Sequence, residues 1–140
     1  MFEAVGSCFS KYVVFSGRAK RPEYWWFYLF NVLVSVVLNI LSLAAPLLGI
    51  LGLLYSLGTF LPTLAVTWRR MHDIGRPGYH GLLVLPVAVL AGVGFAINEV
   101  VGGILALLAV VAAIVVLVWL ASPSQPGANE YGGEDVVKHF

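Results

Sequence analysis

The residues best suited to chemistry lie in two short polar segments, 15–25 and 68–79, each next to a long apolar stretch. The side chains of interest are Arg18, Arg21, Glu23, Arg69, Arg70, His72 and Asp73. Several guanidinium groups and an imidazole can hold a phosphate through charge-assisted hydrogen bonds. The two segments could therefore bind the headgroup of an anionic phospholipid at a membrane surface.

The same side chains could instead form a structural latch between the two segments. In that arrangement Glu23 pairs with Arg69 or Arg70, and Asp73 pairs with Arg69. On a helix Arg69, His72 and Asp73 share one face because they are three and four residues apart, whereas Arg70 points elsewhere. The sequence leaves the latch and the anion site open as alternatives.

Catalysis would need more than these residues provide. His72 and Asp73 are adjacent, and adjacent side chains on a helix diverge by about 100°, so Asp73 does not orient His72 as in a catalytic triad. The sequence contains no serine nucleophile elbow, no metal-spaced His/Cys set and no glycine-rich phosphate loop. We expect no enzymatic activity, no cofactor and no metal. The remaining enzymatic alternative is a headgroup-modifying enzyme that uses His72 as acid or base.

The composition indicates which kind of scaffold positions these residues. Of 140 residues 60% are hydrophobic and only 11% are charged, against about 45–50% and about 25% in soluble domains. The apolar content excludes a disordered chain, the single cysteine excludes a disulfide scaffold, and the net charge of +1 excludes a nucleic-acid partner. The chain is predicted to be an integral membrane protein surrounded by the lipid bilayer.

Charge-free stretches predict four membrane spans. No Asp, Glu, Lys, Arg or His occurs between Tyr24 and Trp68, which suits two helices of about 20 residues joined by a turn at Pro46. A second stretch is interrupted at 98–99 and 102–103. The predicted spans are residues 24–43, 47–68, 81–97 and 104–120. They form a transmembrane domain over 24–121, between an amphipathic segment and basic linker at 1–23 and a tail at 122–140.

The distribution of charge and tryptophan predicts the orientation. With four spans, both termini and the loop 69–80 share one side, and that side carries all eight Lys and Arg residues. Basic residues in short loops mark the cytoplasmic face. The tryptophans are expected to be interfacial anchors on this face: Trp25, Trp26, Trp68 and Trp119. We expect an all-α four-helix bundle with both termini in the cytoplasm.

The N-terminal segment has an amphipathic pattern. Its apolar residues recur at helical spacing and form one stripe: Phe2, Val5, Phe9, Tyr12 and Val13. Ser7 and other polar residues occupy the opposite face. The pattern predicts a short helix that either lies in the membrane interface or packs on the bundle as a foot.

Polar side chains inside the spans are predicted to bond across helices. They are Asn31, Asn39, Tyr55, Thr59, Thr63 and Thr67. No charged residue lies inside a predicted span, whereas ion-coupled carriers usually keep one there. A pore through one chain is therefore not expected, but a homo-oligomer, an oligomeric pore or a membrane-protein partner remains open.

At its polar segments the chain resembles the bacterial family called domain of unknown function 805, the YhaH-like inner-membrane proteins. Residues 15–25 fit the element F-x-G-R-x-x-R-x-E-[FY]-W, and residues 126–132 fit P-G-x-N-x-[FY]-G. Between them lie the matching residues Arg69, Arg70, His72, Asp73, Gly75, Gly78 and Tyr79. Pro77 departs from the serine usual in the family. The resemblance implies four spans in the bacterial inner membrane, no established activity and no catalytic residues.

The motif residues lead to one hypothesis for the site. We expect the tail to fold back over the basic cluster, so that the motifs form a single cytoplasmic surface. Its members are Arg18, Arg21, Glu23, Arg69, Arg70, His72, Asp73, Asn129 and Tyr131. The expected function is a non-enzymatic scaffold or interaction module that holds an anionic lipid headgroup or a partner. A component of a transport or envelope-stress system is the alternative.

Overall fold

The computed structural model describes residues 1–132 and is built from helices, which confirms the all-α prediction. The α-helices are α1 (Phe2–Ser10), α2 (Arg21–Ala44), α3 (Gly49–Asp73), α4 (Val84–Ile97) and α5 (Glu99–Ala121). Short 3-10 helices at Pro46–Leu48 and Gly78–Leu82 precede α3 and α4. The predicted tail extends to residue 140, and its part at 133–140, with Lys138, lies outside the described residues.

Four helical segments are long and apolar enough to cross a membrane: Arg21–Ala44, Pro46–Asp73, Gly78–Ile97 and Glu99–Ala121. The turn between the first two lies where proline predicts it, with Ala45 extended and Pro46 opening the 3-10 helix. Both helices of this hairpin continue beyond the apolar spans into the polar segments. The polar residues are therefore held on helix ends rather than on loose loops.

The last helix begins earlier than predicted, at Glu99 rather than at residue 104. The Asn98 side chain accepts a hydrogen bond from the Val100 amide at 2.8 Å and so caps the helix. Gly102 is not a break but a contact point, because a Cβ there would lie 2.4 Å from the Phe95 ring of α4. Small residues of this kind let membrane helices approach closely.

The helices form two hairpins that meet at one end. Helix α2 packs along α3, α4 packs along α5, and α1 packs against α2 and α3. We call the end that holds the starts of α2 and α4 and the ends of α3 and α5 the charged end. A buried cluster joins the hairpins there through Phe27, Val66, Met71, Val116 and Leu120. The core of the protein therefore surrounds the polar segments.

Helix α1 packs on the bundle, but with the face opposite to the predicted one. Phe2 and Val13 of the apolar stripe are 77% and 61% exposed, whereas Ser7 and Cys8 are buried. The neighbouring interior is polar, since Ser7 donates a hydrogen bond to Glu23 at 3.1 Å. In a membrane the outer face meets lipid, so the apolar side of such a helix belongs outside.

The in-span polar residues follow two patterns. The Tyr55 hydroxyl donates to Asn31 Oδ1 at 2.9 Å, which confirms one bond across α2 and α3. Asn39, Thr59 and Thr63 donate instead to carbonyls one turn earlier in their own helices. For these three the expectation is wrong, because the preceding carbonyl is within reach of a short polar side chain.

Candidate functional site

Helix boundaries place the charged residues. Pro22 occupies the first turn of α2, where no amide donor is needed, and Glu23 lies at the positive end of the helix. Helix α3 ends at Asp73, and Gly75 follows with the left-handed φ of +76° that the sequence predicts for a cap. The linker before α2 returns over α3, since the Ala19 amide donates to the Arg69 carbonyl at 3.0 Å. These contacts bring the two polar segments together.

Asp73 is the centre of the cluster and is fully buried. Its Oδ1 accepts from Arg18 Nε at 3.1 Å, and its Oδ2 accepts from Arg70 Nη1 and from the Ser124 hydroxyl. The predicted pair of Asp73 with Arg69 is wrong, as is the expectation that Arg70 points elsewhere. Arg70 is three residues before Asp73 on the same helix and reaches it directly.

Arg18 fastens the tail to the helices. Besides Asp73 Oδ1 it donates to the carbonyls of Gln125 and Gly127, each at 2.7 Å, of Gly132 at 3.4 Å and of Asp73 at 3.3 Å. These bonds account for the five N–H groups of a guanidinium. The side chain is 2% exposed. No donor of Arg18 is left for a ligand.

Arg70 holds the end of α5 in the same way. Its Nε donates to the Leu120 carbonyl at 3.0 Å, and its Nη2 donates to the Ser122 carbonyl. These carbonyls lie in the last turn of the helix or just after it and lack intrahelical partners. Arg70 therefore joins α3, α5 and Asp73 in one buried unit.

Glu23 and Arg69 form a second buried pair, as one predicted alternative has it. Arg69 Nη1 donates to Glu23 Oε1 at 2.9 Å, and both side chains are 1% exposed. Lys11 Nζ lies 3.9 Å from the same oxygen. Among the described residues, Arg69 Nε and Nη2 are buried without a hydrogen-bond partner. Arg69 is thus paired through one nitrogen only, unlike Arg18 and Arg70.

Cys8 packs against the second pair, with its sulfur 3.9 Å from Glu23 Oε1. Burial, with a further contribution from the Glu23 carboxylate, raises the pKa of the thiol from 9.0 to about 12. The thiol is therefore neutral at physiological pH. It fills space in the core and is not a reactive nucleophile.

The thiol of Cys8 should resist alkylation in the folded protein. At pH 8 the pKa difference lowers its thiolate fraction about a thousand-fold relative to the unfolded chain. Mass spectrometry after maleimide treatment in mild detergent should show an unlabelled protein, which becomes labelled in denaturant. Raising the pH above 9 should destabilise the fold, because the unfolded thiol ionises first. Rapid labelling of the native protein at pH 8 would contradict this placement of α1.

His72 connects the linker, α3 and the tail. Its Nδ1 lies 2.9 Å from the Gly17 carbonyl oxygen and donates to it, so this nitrogen is no catalytic base. The imidazole stacks on Tyr131 with ring centres 3.9 Å apart and an angle of 3°. Asn129 Nδ2 donates to the His72 carbonyl at 2.9 Å and so caps α3. The predicted fold-back of the tail onto His72 is therefore observed.

Arg21 is the predicted site residue that the structure leaves outside the buried cluster. It is exposed, and its Nη1 donates to the Ala121 carbonyl at 3.1 Å. Together with Pro22, Trp25, Trp26 and Leu29 it lines a shallow cleft of about 370 Å³. The other residues of the predicted site lie in the cluster or in direct contact with it.

The predicted anchors Trp68 and Trp119 make specific contacts at the charged end. Trp68 packs edge-on against Phe15 with ring centres 5.8 Å apart. The Arg76 guanidinium lies 4.2 Å from the centre of the Trp119 ring, in a cation–π contact. Both indoles thus brace the linker and the loop after α3.

Ser7, Ser124 and Gln125 are site residues that sequence reasoning missed. Ser7 and Ser124 each donate to a buried carboxylate, and the Gln125 amide donates to the Asp73 carbonyl at 2.8 Å. Serine and glutamine in a Pro/Gly-rich tail carry no periodic signal, so only the fold identifies them. Across residues 1–132 no group of three or more His, Cys, Asp or Glu side chains is placed to hold a metal.

Comparison with known proteins gives consistent relatives. The family described as "Protein of unknown function (DUF805)" matches residues 12–133. The inner membrane protein YhaI of Escherichia coli K12 is 36% identical over 91% of this chain and 91% of its own length. YhaH of the same strain is 43% identical over 53% of this chain and 65% of its own. No solved structure matches the chain. The chain therefore belongs to the DUF805 family, whose relatives here are inner membrane proteins.

Proposed function

We propose that the protein is a non-enzymatic scaffold of the bacterial inner membrane, with both termini in the cytoplasm. Its charged end is a rigid platform, and its ligand is an anionic phospholipid bound at Arg21. The four apolar helices and the inner-membrane relatives support the location. The concentration of basic residues at the charged end supports the orientation.

The observation that carries the proposal is the difference between the buried and the exposed arginines. Arg18 and Arg70 direct their donors at Asp73 and at backbone carbonyls, so neither is available to a phosphate. Arg69 is buried beside Glu23. These three act as the latch, and the anion-binding role passes to the exposed guanidinium of Arg21.

The cleft at Arg21 suits a phospholipid. Its guanidinium lies beside Trp25 and Trp26 at the start of a membrane-crossing helix. Indoles favour the headgroup layer, and arginine binds phosphate through paired N–H groups. A phosphate held by Arg21 leaves the acyl chains to run along Trp26 and Leu29.

The geometry at His72 argues against a headgroup-modifying enzyme. One ring nitrogen is used by the Gly17 carbonyl, and one ring face is covered by Tyr131. An acid or base must reach the proton that it transfers. His72 is more than 90% buried under the linker and tail, which keeps it from a lipid at the membrane surface.

Native mass spectrometry of the protein released from phosphatidylglycerol nanodiscs tests this proposal. We expect a retained lipid of unchanged mass, reduced about ten-fold or more in occupancy by Arg21→Gln, as befits loss of a charge-assisted contact. Arg76→Gln is the matched control, since Arg76 lies on Trp119 away from the cleft. Equal retention in Arg21→Gln would refute the lipid site. A lipid of altered mass that disappears in His72→Ala would favour the enzyme.

A further inference from the structure

Polar side chains inside the membrane helices are unevenly distributed. The two in-span asparagines, Asn31 and Asn39, lie on α2, whereas α4 and the part of α5 after Glu99 contain no amide, hydroxyl or charged side chain. Such groups are costly in hydrocarbon and usually face protein. The α2–α3 hairpin therefore carries the polar surface of the membrane region.

This surface borders a groove of about 590 Å³ along α2. We call it the polar groove and define it by Asn31, Ser35, Asn39, Ser42 and Thr63. The first four are three or four residues apart and so share one face of α2. Neither α4 nor α5 lines the groove. Helix α1 does not fill it either, since Met1 and Phe2 border a separate cleft on α2.

Asn39 is the informative residue of the polar groove. Its side chain is exposed, and its Nδ2 donates to the Ser35 carbonyl at 2.7 Å. Within residues 1–132 its Oδ1 accepts no hydrogen bond, and the Ser35 hydroxyl has no partner either. A lipid chain cannot satisfy these groups, and leaving a carboxamide unsatisfied in hydrocarbon is unfavourable. The groove thus has the character of half an interface.

We propose that the polar groove is the docking surface for a second copy of this chain, paired through Asn39 about a two-fold axis. A carboxamide carries both donor and acceptor groups, so two Asn39 side chains facing each other satisfy one another. A two-fold axis brings identical residues together. The groove runs from Phe27 to Leu43, a rise of about 24 Å at 1.5 Å per residue, which fits a helix rather than a small solute.

Cysteine cross-linking in native membranes tests this interface. In a Cys8→Ala background, Ser35→Cys and Ser42→Cys should form disulfide-linked dimers on mild oxidation. Leu107→Cys is the matched control, because Leu107 is 68% exposed on α5, away from the groove. Adding Asn39→Val should lower the dimer yield about 3- to 30-fold, the usual range for interhelical hydrogen bonds.

Two further results decide the proposal. Asn39→Val should keep the melting temperature of the monomer in detergent, which separates loss of the interface from misfolding. Analytical ultracentrifugation of the unmodified protein should show a dimer that Asn39→Val dissociates. Equal cross-linking at Leu107→Cys, or a monomer at every protein-to-detergent ratio, would overturn the proposal. So would a groove that retains lipid in a monomeric protein.

Discussion

Arg70→Lys should destabilise the protein by about 3 kcal/mol, whereas Arg69→Lys should cost about 1 kcal/mol or less. Lysine keeps the charge in both variants but replaces the planar fork by one ammonium group. Arg70 uses Nε, Nη1 and Nη2 to hold Leu120, Asp73 and Ser122 together. Arg69 uses only Nη1, towards Glu23, and its other nitrogens have no partner in the described part of the chain.

The contrast between these two neighbours is the measurement of interest. Both side chains are fully or almost fully buried and lie on the same helix, so burial alone predicts similar losses. Unfolding in mild detergent with a denaturant, followed by circular dichroism, gives both free energies. Equal losses for the two lysine variants would show that the pairing geometry does not set stability at the charged end.

Gly78→Ala should lower stability by about 2–3 kcal/mol, the cost of overpacking a rigid site. A Cβ on Gly78 would lie 2.1 Å from the Trp68 ring, far inside van der Waals contact. Trp68 cannot easily withdraw, because Phe15 and His72 pack against it edge-on. The substitution should therefore loosen both the loop after α3 and the linker before α2.

A matched control isolates this steric effect. At Gly92 of α4 nothing lies within 4 Å of an added Cβ, so Gly92→Ala should be neutral or stabilising by up to about 1 kcal/mol. Adding Trp68→Phe to Gly78→Ala should recover part of the loss, because the smaller ring makes room. Thermal melts read by tryptophan fluorescence measure all three. No recovery in the double variant would place the strain elsewhere.

The membrane architecture was predictable because span length and charge distribution act on the whole segment. The helix class, the four apolar helices, the turn at Pro46 and the cap at Gly75 all follow from local chemistry. The start of α5 did not, since Gly102 was taken for a break when it is a packing contact with Phe95. A glycine permits both, and only the partner helix decides.

The site was predictable as a set of residues but not as a set of pairs. The order of the charges along α3 does not reveal that Asp73 contacts Arg18 and Arg70 rather than Arg69. That choice depends on where the linker crosses α3. The buried face of α1 was also misjudged, because hydrophobic periodicity gives the apolar side of a helix but not whether lipid or protein faces it.

The hold of Arg18 on backbone carbonyls has a consequence for biosynthesis. Because the carbonyls of Gln125 and Gly127 are common to every amino acid, the tail is recognised by its path more than by its side chains. That tail is the last part of the chain to leave the ribosome. Until it arrives, Arg18 and Asp73 lack partners that only the tail provides. A truncated chain therefore exposes an incomplete charged end to proteases, so that closure of the latch marks a finished molecule.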